Sequence, residues 1–272
     1  MPSKSFNLNI NNQIKPFKKI IKVDSDKSLS IRSFLIGAIS QDISKASNVL
    51  ESEDVYSTIN CLKKLGVKIK KTKPKSYLIY GKGLGSLFGK KNLQLNFGNS
   101  GTLARLLIGI LSTTPNMELK IQGDHSLNKR NMKKLIELMS EFGAEFLPKN
   151  KFNFPLRLIS TEMPIGIKYK AGISAQLKSA VILAGLNSYG TTEIIEEKRS
   201  RNHTENILIK NPQTIKIKKK KKIINIFGKK YLNPINLNIP GDPSSAAFFT
   251  ALTLLNKHSS LKIKNVGLNP TR

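Results

Sequence analysis

One pattern, repeated four times, constrains this chain more than any other feature. A short polar cap runs straight into an apolar segment of helical length. It occurs at Asp26-Lys27-Ser28-Leu29-Ser30-Ile31-Arg32, at Asn99-Ser100-Gly101-Thr102, at Ser174-Ala175-Gln176-Leu177-Lys178-Ser179 and at Gly241-Asp242-Pro243-Ser244-Ser245. The starts at Asp26, Asn99, Ser174 and Asp242 are 73, 75 and 68 residues apart. Such a period predicts a repeated supersecondary unit holding several strands and helices. The segments behind the caps are apolar on nearly every face, which predicts buried helices. Ser28, Asn99, Ser174 and Asp242 are the expected N-caps, and Ser100 and Thr102 beside Asn99 are of the same capping type. A buried helix with a small polar N-terminus aims its unpaired N–H groups and partial positive charge at whatever lies in front of it. Gly101 would let a ligand approach that backbone closely.

The spacing predicts helices over 28–40, 51–65, 100–111, 132–141, 175–186, 204–209 and 246–255. Strands are expected at Phe6, Leu8 and Ile10, at 20–23, 67–70, 77–80, 93–97, 117–121, 144–146 and 192–195, around 215 and 224, and at 261–266. Residues 123–130 and 196–202 read as loops. Gly66 and Gly143 are C-cap glycines at equivalent helix-to-strand corners. The third such corner carries Asn211-Pro212 instead. From Asp242 to Arg272 there are 31 residues, fewer than half a period, so the chain is expected to stop inside its fourth unit.

At 272 residues, about two domains are expected. The formal charge of +29 admits two kinds of partner, nucleic acid or acidic small molecules. Most of the basic residues are spread along the chain. The exception, Lys216 with Lys218 to Lys222, is interleaved with Ile215 and Ile217 and reads as an exposed hairpin whose lysines guard its edge. There is no Trp, no pattern of stacking aromatics and no zinc-finger spacing, which disfavours nucleic acid. The single cysteine, Cys61, excludes a disulfide framework, fits a reducing compartment and reads as a buried apolar residue. His125, His203 and His258 show no metal-ligand spacing, and no metal or cofactor is expected. No run approaches the ~20 apolar residues of a membrane helix, and residues 1–12 do not read as a signal peptide. A cytoplasmic monomer without membrane contact is expected.

Several cap regions carry a cation or an amide: Lys27, Arg32, Arg105, Arg130, Gln176, Lys178 and Arg201. If equivalent ends of the units converge, they line a cleft with positive charge and free N–H groups. Such a cleft suits phosphate- and carboxylate-bearing ligands, which arginine binds through paired hydrogen bonds. There is no Walker A pattern, no GxGxxG after a strand and no defensible Ser-His-Asp arrangement, so nucleotide binding and triad hydrolysis are not indicated.

The cap motifs, together with Gly123-Asp124-His125-Ser126-Leu127, Arg130, Arg201-Asn202-His203-Thr204-Glu205 and Asn269-Pro270-Thr271-Arg272, follow one family's order. The chain resembles the 5-enolpyruvylshikimate-3-phosphate synthases along its whole length, which corresponds to the first three-fifths of that family. The resemblance implies an inside-out α/β barrel, the enolpyruvyl transferase fold, built of repeated βαβαββ units. It implies a complete first domain over 22–238, and an incomplete second one from 1–21 and 239–272. It further implies transfer of the enolpyruvyl group of phosphoenolpyruvate to the 5-hydroxyl of shikimate 3-phosphate, releasing phosphate. Lys27, Ser28, Arg32, Ser174, Ala175, Gln176 and Arg201 would hold shikimate 3-phosphate. Lys27, Gly101, Arg130 and Gln176 would hold phosphoenolpyruvate. The acid and base of the reaction are expected beyond Arg272, so the chain by itself is expected to be inactive, either complemented by another chain or a non-catalytic substrate-binding half. Gly101 is the position the family links to sensitivity to glyphosate. Asn131 stands where the family usually has proline. The UDP-N-acetylglucosamine enolpyruvyl transferases, of similar fold, expect a cysteine in the loop at His125-Ser126-Leu127 and an Asn in place of Ser28.

Overall fold

A computed structural model of the chain describes residue 9 and residues 14–90 and 92–272. The expected strand at Phe6, Leu8 and Ile10 lies outside the described residues. The first unit contains β1 (Lys18–Lys22), α1 (Lys27–Ile39), β2 (Ile43–Ser47), α2 (Glu53–Lys64), β3 (Lys68–Lys73) and β4 (Ser76–Tyr80). The second contains β5 (Leu93–Asn96), α3 (Gly101–Ser112), β6 (Glu118–Gln122), α4 (His125–Asn128), α5 (Lys133–Glu141), β7 (Glu145–Leu147) and β8 (Leu156–Ile159). The third contains β9 (Lys168–Ala171), α6 (Ala175–Leu186), β10 (Thr191–Glu196), α7 (His203–Leu208), β11 (Ile215–Lys218) and β12 (Ile223–Phe227). Then follow β13 (Asn236–Asn238), α8 (Pro243–Leu255) and β14 (Ser260–Lys264).

The second and third units share one sheet plan. A leading strand pairs in parallel with the strand after the buried helix, and two antiparallel strands complete the sheet, giving β5-β6-β8-β7 and β9-β10-β12-β11. The first sheet keeps this plan, but its leading strand is β13, which pairs in parallel with β2. The strand that precedes α1, β1, instead pairs in parallel with β14. Two leading strands are thus exchanged. The Asp26 N–H donates to Pro240 O at 2.8 Å, and the Asp242 N–H to Asp24 O at 2.7 Å, where the two segments cross.

The sheets surround three helices, α1, α3 and α6. Each is buried almost throughout because its residues are apolar on every face: α1 from Ser30 to Ile39, α3 at all positions but Arg105, and α6 from Lys178 to Leu186. Close approach of α3 to α6 depends on Gly109, where a Cβ would fall 2.6 Å from the Ala180 carbonyl oxygen. The outer helix α2 shows the complementary logic. It is amphipathic, burying Val55, Thr58, Ile59, Cys61 and Leu62 and facing solvent elsewhere. Helix α8 has the composition of the buried helices without their surroundings. Phe248, Leu254 and Leu255 are 78%, 82% and 86% exposed.

The caps correct two expectations. Asp26, not Ser28, caps α1, accepting from the Leu29 N–H; Ser100, not Asn99, caps α3, accepting from Leu103. Ser174 caps α6 in the same way, through Leu177. A side-chain oxygen one residue outside the helix reaches the third N–H beyond it, and only Asp26 and Ser100 stand at that distance. Caps at 26, 100 and 174 make the period 74 residues, twice. The expected loop over 123–130 contains a helical turn, α4, whose cap Asp124 accepts from the Leu127 N–H at 2.7 Å. Strands β2, β8, β9 and β13 are additional to the expected ones; all are short, and β2 and β9 are rich in Lys or Ser. The corner at Asn211 needs no glycine, because no residue from 209 to 214 takes a positive φ, whereas Gly66 and Gly143 do. Lysines 219–221 form the tip of the β11–β12 hairpin, and β11 is an edge strand. Among the described residues, no helix is long and apolar enough to cross a membrane.

Candidate anion-binding cleft

The N-termini of α1, α3 and α6 converge on one cleft of ≈ 250 Å³. The residue two positions past each cap lines it: Ser28, Thr102 and Gln176. Ser174 and Ala175 lie beside Gln176, Ile173 forms an apolar edge, and Arg32, Arg201 and His203 contribute the basic wall.

These side chains are held by one another. Arg32 is 4% exposed and donates to Thr204 Oγ1 at 2.9 Å, to Ser179 Oγ at 3.1 Å and to the Ser28 carbonyl at 3.0 Å. Thr204 in turn donates to Ser179 at 2.8 Å, so α1, α6 and α7 are fixed at one point. Burial, only partly offset by Glu205 and Asp26, pulls the Arg32 guanidinium down to about 10, still charged at neutral pH. On the other side, Arg105 Nη1 donates to Gln176 Oε1 at 3.0 Å, and Gln176 Nε2 donates to Thr102 Oγ1 at 2.9 Å. Burial, then the neighbouring Arg130, lowers the Arg105 pKa.

Gly101 lies beneath two guanidinium groups. A Cβ there would fall 2.8 Å from Arg105 Nη1 and 3.0 Å from Arg130 Nη1. Arg130 is exposed and donates to Asn99 Oδ1 at 2.7 Å. Arg130 and Gly101 therefore flank the cleft on the α3 side without lining it. Lys27 is the first residue of α1, yet its ammonium sits 3.0 Å from Asp54 of α2, outside the lining. Lys178 turns away altogether. Fully buried, it lies 2.6 Å from both Glu196 and Glu205 and ties α6 to β10 and α7. Burial raises the Glu205 pKa, and Lys178 opposes that rise.

Thr102 and His203 are lining residues that were not picked out as candidates in the sequence. The signal for Thr102 was the register itself, since it holds the place of Ser28 and Gln176 relative to its cap. The signal for His203 is its place in the motif Arg201-Asn202-His203-Thr204-Glu205, to which the sequence attaches no role in the cleft.

Three polar helix N-termini, two arginines and no lining carboxylate among the described residues make a site for a small, multiply anionic molecule. The fold that presents it is the inside-out α/β barrel of the enolpyruvyl transferases. Residues 11–272 match the family described as EPSP synthase (3-phosphoshikimate 1-carboxyvinyltransferase), and the chain belongs to that family. It is 39% identical over 261 residues to the 3-phosphoshikimate 1-carboxyvinyltransferase of Novosphingobium aromaticivorans, covering 94% of this chain and 59% of that protein. The enzyme of the same name from Bacillus subtilis is also 39% identical, over 253 residues, with 93% and 58% covered. A solved EPSP synthase from Acinetobacter baumannii superposes with a TM-score of 0.84 at 34% identity, over 94% of this chain and 57% of that one. The chain thus spans a little under three-fifths of the length of these relatives.

Proposed function

We propose that this chain supplies the shikimate 3-phosphate half-site of an enolpyruvyl transferase that joins phosphoenolpyruvate to the 5-hydroxyl of shikimate 3-phosphate and releases phosphate. The observation that carries this reading is the convergence of Ser28, Thr102 and Gln176 on one cleft with Arg32 and Arg201. Phosphate oxygens suit Ser28, Ser174 and the α6 N-terminus, where backbone N–H groups and the helix dipole favour an anion. Arg32 and Arg201 add charge, and Gln176 spans the two substrates. Gly101 and Arg130 fit phosphoenolpyruvate beside α3, with Lys27 reaching both ligands once it leaves Asp54.

Positioning two anions against fixed cations supplies much of the rate in such a reaction. The reaction also needs a proton donor and an acceptor, and the cleft lining holds no carboxylate to serve. We assign those groups to the part of the family's length that these residues do not span, and expect binding here without turnover. We infer a first domain over 22–238. Residues 1–21 and 239–272 belong with a second, a division supported by the pairing of β1 with β14. Small phosphorylated metabolites, rather than nucleic acid, are the inferred ligands, in a reducing cytoplasmic setting to which the unpaired, buried Cys61 is suited.

Calorimetric titration with shikimate 3-phosphate tests the reading, alongside Lys27→Ala and Arg201→Ala. Both residues are exposed, so their loss leaves folding intact. Saturable binding that weakens at least tenfold in each variant is expected. Failure of the unsubstituted chain to bind, or equal binding by all three, overturns the assignment.

A further inference from the structure

One imidazole sits among three guanidinium groups. His203 opens α7, is 5% exposed, and lines the cleft beside Ser28, Arg32 and Arg201. Arg32 from α1 and Arg201 from the segment before α7 line the same cleft, and the charges of Arg272 from the segment after β14 and Asp242 from the cap of α8 also act on the imidazole. The nearby carboxylates are already engaged. Glu205, on the same helix, lies 2.6 Å from Lys178 of α6. Asp242 lies 2.6 Å from Arg272, and Asp26 lies 3.7 Å from it. Burial, then these arginines, holds the His203 imidazole down to about 4. At neutral pH it is therefore uncharged, with one N–H and one bare nitrogen.

A phosphate oxyanion in this cleft reverses the balance. It neutralises the guanidiniums that disfavour a charged imidazole, and it offers acceptor oxygens to a second N–H. We propose that His203 is an anion-binding residue of the cleft, and that seating a phosphate oxyanion beside it draws a proton from solvent onto its imidazole. The proton fills the bare nitrogen, and both ring N–H groups then donate. The inference deepens the reading of the cleft as a site for a phosphorylated ligand, and rests on it. It adds that charge on this wall is adjustable: two permanent cations are joined by a third that forms when the ligand arrives.

The test is a pH titration of the imidazole resonances of the full chain by NMR, from about pH 4 to 8. It is run alone, with inorganic phosphate and with shikimate 3-phosphate. His125 and His258 are exposed, so His125→Gln and His258→Gln assign their signals without disturbing the fold and leave His203 by elimination. The expected result is an upward move of the His203 midpoint by about one unit or more with either anion, a tenfold gain in proton affinity, while the other two histidines stay in place. A companion titration calorimetry series in two buffers of different ionisation enthalpy should count more protons taken up per ligand by the unsubstituted chain than by His203→Gln. The ligand's own phosphate, with a second pKa near ~6, contributes equally to both and cancels. A shift with inorganic phosphate alone upholds the proposal and removes shikimate 3-phosphate as the ligand. Calorimetric binding of shikimate 3-phosphate with an unmoved His203 overturns the proposal and leaves the substrate reading standing. An unmoved His203 with both anions also overturns it.

Discussion

The guanidinium of Arg105 holds the side-chain oxygen of Gln176 at 3.0 Å, across the gap between two helix N-termini. The amide nitrogen is engaged by Thr102 at 2.9 Å, so one N–H remains free and its direction is fixed. Arg105 does not line the cleft, but it decides which face of Gln176 does. Replacing Arg105 by Ala should let the amide rotate. Hydrogen bonds to charged groups are worth about 1.5–3 kcal/mol, so affinity for shikimate 3-phosphate should fall on the order of tenfold or more. Calorimetry checks this; unchanged affinity in Arg105→Ala would show that Gln176 needs no such support.

Lys178 and Glu205 form the buried counterpart of this arrangement. Substituting Lys178 by Met leaves Glu205, 1% exposed, without its cation. Breaking one side of such a pair removes about 3–5 kcal/mol. Urea unfolding should show a loss of this size, and the double variant Lys178→Met with Glu205→Gln should recover much of it. A Lys178→Met protein within about 1 kcal/mol of the original would contradict the pairing.

Stability should depend on pH through His203. Its folded value, about 4, lies below the unfolded value near 6.5, so the unfolded chain binds more protons between the two. Stability from this group is complete above pH ~6.5 and declines as pH falls toward 4, by up to ~3 kcal/mol. Asp26 and Glu205 act in the opposite direction. Burial raises both, so their share of stability grows as pH falls through their folded values. The informative quantity is therefore the difference between the original chain and His203→Gln in chemical unfolding at pH 7 and pH 4.5. A difference that does not change with pH would exclude the neutral, buried imidazole.

Gly101→Ala should be tolerated by the fold, since the crowded atoms are the far ends of two arginine side chains. It should nevertheless displace both guanidiniums. Phosphoenolpyruvate and glyphosate binding, measured with shikimate 3-phosphate present, should weaken several-fold, with a stability change under about 1 kcal/mol. A large loss of stability would mean that the arginines cannot move aside.

Helix α8 should be dispensable to the three-sheet body. Substituting Phe248, Leu254 and Leu255 by Ser is expected to leave the unfolding midpoint within error and to reduce self-association in light scattering, because contiguous exposed apolar surface drives aggregation. A fall in the midpoint would place these side chains in the core after all.

Much of this architecture can be read from local sequence, because local rules decide it. A polar cap before an all-round apolar run specifies a buried helix wherever it occurs, and a C-cap glycine such as Gly66 (φ +83°) or Gly143 (φ +99°) specifies its end. Pairing between distant strands is not local. Nothing in Lys-Lys-Ile-Ile-Lys or Asn-Leu-Asn reveals that the first joins β14 and the second β2. Side-chain allegiance is equally hidden. Lys27 and Lys178 both stand at a helix start, but Asp54 takes one and Glu196 and Glu205 take the other. His203 takes its setting from Arg201, two residues away, and otherwise from groups on α1, at the cap of α8 and in the segment after β14, all distant in sequence.

The strand exchange also sets an order of events during synthesis. Chains are made from the N-terminus, and contacts between distant residues must wait for both partners. The second sheet can be finished once β8 has emerged, and the third follows with β12. The first-made sheet cannot close until β13 appears, because its leading strand lies at 236–238. A nascent chain arrested before that point would carry β2 as an open edge, with unpaired backbone groups available to any passing strand. Of the three four-stranded sheets, the one begun first is thus the last to be sealed, and it is there that a holding chaperone would be most needed.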